Sequence, residues 1–159
     1  MADQQGPGIK RFFDSILQEA KRAAIAADEL DGLAAAINAT GGISAVRLSE
    51  KVTGGPARQE LCDLLIRRDE AEERLQKQQE KVQRMQTVAM EMIDELEDPL
   101  QRSILRQRYL YLWDWGRVSD TIGYSIGHCQ HTLGDAMKIL DEAFPEIAHL
   151  WMAAKVSSE

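Results

Sequence analysis

The segment Arg108–Leu140, RYLYLWDWGRVSDTIGYSIGHCQHTLGDAMKIL, decides the fold, because two short amphipathic helical patterns meet in it at Ile122-Gly123-Tyr124-Ser125. From Trp115, the apolar or small positions Val118, Ser119 and Ile122 recur at helical spacing while Arg117, Asp120 and Thr121 face water. Gly123 ends this helix, since glycine enters the left-handed region without Cβ strain, and Ser125 offers its hydroxyl to an unpaired amide of the next turn. The second helix turns Ile126, Cys129, Thr132 or Leu133, Ala136, Met137 and Leu140 inward and leaves Gly127, His128, Gln130, His131 and Asp135 outward. This is the pattern of a helix-turn-helix. In the DNA-binding form of that motif, the start of the second helix enters the major groove.

Upstream, Asp98-Pro99 opens a further helix, proline being suited to a first turn that needs no amide, with Leu100, Ile104, Leu105, Tyr109 and Leu112 as its expected core stripe. Arg102, Arg106 and Arg108 project from it on more than one side, either toward phosphates or into surface ion pairs. Trp113 and Trp115 read as core residues, because burial of the indole body dominates their energetics in a small helical domain. Downstream, Pro145 breaks one helix and starts a C-terminal arm over 144–159, in which Ile147, Leu150, Trp151 and Ala154 make an apolar face.

The N-terminal half predicts two long helices. Residues 1–8, with Gly6-Pro7-Gly8, form a loose end. From Ile9, the positions Phe13, Ile16, Ala20, Ala23, Ala27, Leu30, Ala34 and Ile37 alternate three and four apart. The alanines Ala20, Ala23, Ala24, Ala26 and Ala27 either admit a close partner backbone or simply favour helix. Thr40-Gly41-Gly42 stops this helix, a loop covers roughly 40–56, and Pro56 begins the next. In that second helix Leu61, Leu64, Arg68, Ala71, Leu75, Gln78, Val82, Met85, Ala89, Met92 and Leu96 keep a three-four alternation until Asp98-Pro99. The mixed charges of Arg67–Arg84 read as a solvated helix face. The two helices, spanning 9–97, form either an antiparallel hairpin or a coiled coil with another copy. Because the first seam is shorter, apolar surface at Leu61, Leu64, Leu75, Val82, Met85 and Met92 is expected to serve a homo-oligomer, most simply a dimer. The expected class is therefore all-α: a long hairpin or coiled coil, then a helix-turn-helix domain over 98–143.

Composition narrows the functional classes. No apolar run reaches the length of a membrane span, and MADQQGPGIKR lacks the apolar core of a signal peptide, which predicts a cytoplasmic protein. Cys62 and Cys129 lie in different elements without pair spacing, so both are expected to be packed thiols. The chain carries a net charge of −7, but Asp98–Leu140 has five basic and four acidic residues and is therefore +1. Acidic charge is concentrated outside the candidate DNA-binding segment, although +1 is a small footprint for binding a polyanion. His128, Cys129 and His131 fall within one helical turn, yet no second ligand pair completes a zinc set, so no metal or other cofactor is expected. There is no glycine-rich phosphate loop, nucleophile elbow or Ser/His/Asp spacing, and the chain reads as a non-enzyme.

The stretch LEDPLQRSILRQRYLYLWDWGRVSDTIGYSIGHCQHTLGDAMKIL resembles the C-terminal part of phage-encoded late-transcription activators of the RinA/ArpU type, which end in a domain similar to region 4 of the bacterial sigma-70 factors. The signposts are Leu105, Arg108-Tyr109-Leu110, Trp115, Val118, Gly123-Tyr124-Ser125, Gly134, Ala136, Met137 and Leu140. Val46-Arg47-Leu48-Ser49 to Val52-Thr53-Gly54-Gly55 is similar to the family's variable loop. Two features depart from the pattern: the outward face of the second helix lacks basic residues, and Leu112-Trp113-Asp114 stands where a glycine turn is usual. The resemblance implies a DNA-binding transcriptional regulator that activates late viral genes together with host RNA polymerase or its sigma factor. In that role Ser125 and nearby amides anchor phosphate, Arg106 and Arg117 hold the DNA backbone, Gly127, His128, Gln130 and His131 approach base edges, Gln130 pairing with adenine, and Tyr124 belongs to the same DNA-contact set. Two alternatives stand beside it: a protein that no longer binds DNA and docks on polymerase or sigma, and a DNA-packaging initiator of the terminase small subunit type.

Overall fold

The computed structural model describes residues 8–40 and 56–157. Among them are six α-helices: α1 (Gly8–Ala39), α2 (Pro56–Asp94), α3 (Pro99–Leu105), α4 (Trp115–Ile122), α5 (Ile126–Ala143) and α6 (Pro145–Ser157). A π-helical turn, Arg106–Leu110, continues α3. The protein is all-α, with α1 and α2 forming a long hairpin that is followed by a smaller helical region. The expected loose end and most of the expected loop at 40–56, including the stretch Val46–Gly55, lie outside the described residues.

The chain divides into two compact units: residues up to Glu19 together with those from Val82 onward, and Ala20–Lys81. The boundary expected at 97/98 falls within the first of these units. The first turns of α1 and the last of α2 belong with the C-terminal helices, because their large apolar side chains share one core.

In the unit Ala20–Lys81, Ala20, Ala23, Ala27 and Leu30 of α1 are half-buried and Ile37 is buried, while Leu61 and Ala71 of α2 are buried and Leu64, Arg68, Leu75 and Gln78 half-buried. The alternating spacing thus marks the covered faces. Ala34 is an exception: it is exposed, and Leu33 and Ala36 are half-buried instead. Arg74 and Glu29 join the two helices at 3.1 Å, and Lys77 and Glu73 pair within α2 at 3.1 Å. Exposed pairs of this kind contribute a few tenths of a kcal/mol. Cys62, expected to be packed, is exposed, as its position beside rather than on the apolar seam dictates; Cys129 is buried.

In the other unit, Ile9, Phe12, Phe13 and Ile16 of α1 enter one cluster with Ala89, Met92, Ile93 and Leu96 of α2, Ile104 and Leu105 of α3, Tyr109, Val118 of α4, and Cys129, Leu133, Ala136, Met137 and Leu140 of α5. The Ile9 amide, otherwise unpaired at a helix start, donates to the Asp141 carboxylate at 3.3 Å. Gly8 lies so close to α6 that a Cβ there would strike the Ala148 carbonyl. Pro145 starts α6 as expected, and Trp151 meets Phe12 edge-on at 5.5 Å, so the C-terminal arm packs on its own domain. Leu150, expected on the apolar face, is exposed.

The residues expected to serve a homo-oligomer are covered to different degrees within a single chain. Leu61, Val82 and Met92 are buried, and Leu64, Leu75 and Met85 half-buried, within a single chain. The last turns of α2 are covered by the start of α1 and by α3 to α5.

Tyr109 ties the layers together. Its ring packs against Phe13 at 4.9 Å and its hydroxyl donates to the Asp14 carboxylate at 3.2 Å. Burial first, then the Asp14 charge, hold the phenol well above its ordinary value of 10.0. A raised folded-state value favours the protonated form in the fold, so this contribution is complete below about pH 10 and declines as pH rises further, where the unfolded chain loses its proton first. Tyr109→Phe is expected to cost about 1 kcal/mol at neutral pH, one hydrogen bond, and to flatten the alkaline fall in stability above pH 10. Denaturation midpoints measured across that range check it; an unchanged alkaline slope would place its origin elsewhere.

The region between α3 and α4 holds the main local surprise. The Tyr111 amide reaches back to the Arg106 carbonyl at 2.9 Å, widening the last turn. The side-chain amide of Gln86 donates to the carbonyls of Tyr109 and Leu110 at 3.0 and 3.2 Å, satisfying groups that an ending helix leaves unpaired. Leu112, expected in the core stripe, is instead 43% exposed at φ 60°. It occupies the left-handed region that a side chain rarely enters. Gly123 is the second left-handed residue, at φ 87°, with nothing within 4 Å of a built Cβ. The backbone penalty at such sites is on the order of 1 kcal/mol. Gly123→Ala is expected to lose about that much, whereas Leu112→Gly is expected to be neutral or to gain up to about as much. Urea midpoints moving in opposite directions would bear this out, and a neutral Gly123→Ala would refute it.

Candidate nucleic-acid interface

Helix α4 is capped by Asp114, whose carboxylate accepts from the Arg117 amide at 2.8 Å, and buries Val118. Its end is locked by the Gly123 amide bonded to the Ser119 carbonyl at 2.8 Å and by the Ser119 hydroxyl donating to the Tyr124 carbonyl. Ser125 then adopts an extended backbone, and its Oγ accepts from the His128 amide at 3.1 Å. The turn and cap therefore form through local chemistry, as expected from Gly123 and Ser125.

Helix α5 buries Cys129, Thr132, Leu133, Ala136, Met137 and Leu140, and exposes Gly127, His128, Gln130 and His131. All but one of the inward positions expected from spacing are buried. The exception is Ile126, 43% exposed, since the first helical residue after the cap has no preceding turn to tuck beneath. The Thr132 hydroxyl is occupied by the His128 carbonyl at 2.9 Å, while the Tyr124 ring lies tilted 4.7 Å from the His128 imidazole. His131 comes within 3.6 Å of Asp135, an ion pair only when the ring is protonated. Cys129 points inward, its thiol toward the Tyr124 carbonyl, and burial pushes its pKa up. It thus faces away from His128 and His131.

The arginines divide. Arg102 donates to the carbonyls of Leu96 and Glu97, finishing α2, and Arg106 pairs with Asp94 at 2.9 Å. Arg108 donates to the Trp113 carbonyl at 2.9 Å and lies 5.0 Å over the Trp115 ring. These three are engaged in holding the fold. Arg117 is exposed and stacks 3.9 Å over Trp113, whose other neighbour is Tyr111 at 5.5 Å. A guanidinium held over a ring face retains N–H donors of the kind that match a phosphate. The tryptophans are half-buried and packed against the core as expected, but each also carries an arginine, a role that apolar spacing does not encode.

Of the eight DNA-contact candidates, Tyr124, Ser125, Gly127, His128, Gln130 and His131 fall on the turn and on the exposed side of α5, Arg117 is exposed on α4, and Arg106 is tied to Asp94. Comparison of the chain with protein-family models, curated proteins and solved structures finds no match.

Among the described residues no helix is long and apolar enough to cross a membrane.

Proposed function

We propose that the protein is a DNA-binding transcriptional regulator in which α4, the Gly123–Ser125 turn and α5 act as a helix-turn-helix of the sigma-region-4 kind, with α5 as the recognition helix. The observation that carries this reading is the bare polar face at the start of α5, where Gly127, His128, Gln130 and His131 are exposed behind a Ser-capped turn. Helix N-termini present unpaired amides to phosphate, and a helix of this exposure and length fits the major groove. Arg117 supplies a backbone contact from α4. Gln130 has the donor and acceptor pair that reads adenine.

The resemblance to late-transcription activators of the RinA/ArpU type makes late viral promoters, read with host RNA polymerase, the expected setting. Selection of bound sequences from random duplexes, followed by titration of the winner at several salt concentrations, tests the reading. A recovered motif and a binding constant that falls with salt support it; no enrichment at low salt rejects it.

One set of observations favours docking on polymerase or sigma. Tyr111 and Leu112 are exposed beside the stacked Trp113, and Tyr124 and Ile126 are exposed at the turn, an unusual density of large apolar groups for a short stretch. Under that reading, loss of Tyr111 and Leu112 abolishes polymerase capture while leaving the chain folded. A terminase-like packaging role has no such observation behind it.

A further inference from the structure

A cleft of about 520 Å³ opens between the start of α1, the π-helical turn, α4 and α5, with Lys10, Asp14, Arg108, Trp115, Gly134 and Lys138 at its edge. Its size is in the range of small-molecule sites, roughly 300–1,000 Å³. Three features set it apart from a packing gap. Lys10, Arg108 and Lys138 face a single carboxylate, Asp14, in a chain whose net charge is −7. The ammonium groups of Lys10 and Lys138 make no ion pair or hydrogen bond among the described residues. Gly134, inside α5, has nothing within 4 Å of a built Cβ, so a residue costing about 1 kcal/mol against alanine in a helix is present without a packing need. Its missing side chain leaves the cleft open.

We propose that this cleft binds a phosphate ester of about nucleotide size, with Lys10 and Lys138 on the phosphate. Trp115, half-buried at the cleft, supplies an apolar surface, and Asp14, already accepting from Tyr109, has a second oxygen for a ligand hydroxyl. Arg108 is fixed by the Trp113 carbonyl and by the Trp115 ring, so its positive charge is preorganised at the cleft. The same phosphate chemistry has two sources: a free mononucleotide, or the backbone of a duplex lying along α5, whose Gln130 borders both the cleft and the exposed face. The first source is independent of the DNA-binding reading; the second rests on it.

The test is calorimetric titration of the full chain with adenosine monophosphate, with adenosine as the phosphate-free control, and in parallel with a selected duplex. Lys138→Gln removes an exposed charge, and Gly134→Leu fills the cleft while keeping every charge; Lys21→Gln, on the exposed side of α1 outside the cleft, controls for bulk charge. Saturable binding of the monophosphate but not of adenosine, weakened about tenfold by each cleft variant and unchanged by Lys21→Gln, supports a free ligand. No monophosphate binding, with duplex affinity reduced by both cleft variants and not by Lys21→Gln, assigns the phosphate to the duplex backbone. If neither ligand responds to either cleft variant, or Lys21→Gln weakens binding equally, the proposal is overturned. Duplex binding that persists through such a failure leaves the DNA reading intact. Its loss beside retained monophosphate binding overturns that reading alone.

Discussion

Phe13→Ala is expected to destabilise the protein by about 3–5 kcal/mol, one of the largest single-residue effects available in this chain. Phe13 is fully buried, packs at 4.9 Å against Tyr109 and at 5.5 Å against Phe12, and belongs to the cluster that includes Val118 of α4 and Met137 of α5. Truncation removes that packing and leaves a cavity that rigid helices on several sides cannot collapse into. For a chain of this length the melting temperature should fall by roughly 10 °C, read by circular dichroism. Ile25→Ala, at a site 65% exposed on the same helix, is expected to change stability by no more than about 0.5 kcal/mol. The pair of variants tests the division of the chain directly. If the helices from residue 98 onward formed a self-sufficient domain, Phe13→Ala would leave their melting nearly unaltered. The shared core instead requires that a fragment beginning at residue 98, lacking Ile9, Phe12, Phe13 and Ile16, fail to fold cooperatively.

What the sequence made legible was local. Gly123 and Ser125 carry their own instructions, a left-handed backbone and a side-chain acceptor for the next turn, and both act within a few residues of where they stand. The same holds for Asp98-Pro99, where the carboxylate accepts from the Leu100 amide at 2.9 Å. The seams of α1 and α2 were legible as stripes because helical periodicity needs no knowledge of the partner. Which partner each stripe meets is a long-range matter. Asp14 and Tyr109 touch across 95 positions, and no spacing rule connects them. The last turns of α2 meet α3 to α5, a cover that the α2 stripe itself does not specify.

Residues missed in the candidate interface share a physical cause. A periodic reading carried the α3 stripe through Leu112, but the π-helical turn at Arg106–Leu110 resets the phase and places that leucine outside. Arg106, Arg108 and Arg117 looked alike in the sequence. Only geometry separates an arginine bound to Asp94 and one bonded to a carbonyl from one that lies exposed over a tryptophan ring. The cleft was invisible for the same reason, since Lys10 and Lys138 come from opposite ends of the chain.

The second large effect concerns binding and separates two kinds of interaction on the proposed interface. His128→Ala combined with His131→Ala should leave folding nearly unchanged, because both side chains are exposed and the bond from Thr132 goes to the His128 backbone carbonyl. Sequence discrimination should fall by about 1–3 kcal/mol for each base-edge hydrogen bond removed, roughly ten- to a hundredfold, while the dependence of binding on salt stays the same. Arg117→Ala should do the reverse. It removes one phosphate interaction, so affinity for all duplexes drops evenly and the slope of log K against log salt shrinks by about 0.9. Its stability cost is confined to the stacking on Trp113, about 0.5–1 kcal/mol at an exposed site. Measuring both variants against the selected duplex and a scrambled one at several salt concentrations reads the two signatures together. A histidine double variant with undiminished discrimination would remove α5 as the recognition helix. An Arg117→Ala slope equal to that of the parent would free this arginine for the alternative surface it forms with Trp113 and Tyr111, the one that favours a protein partner.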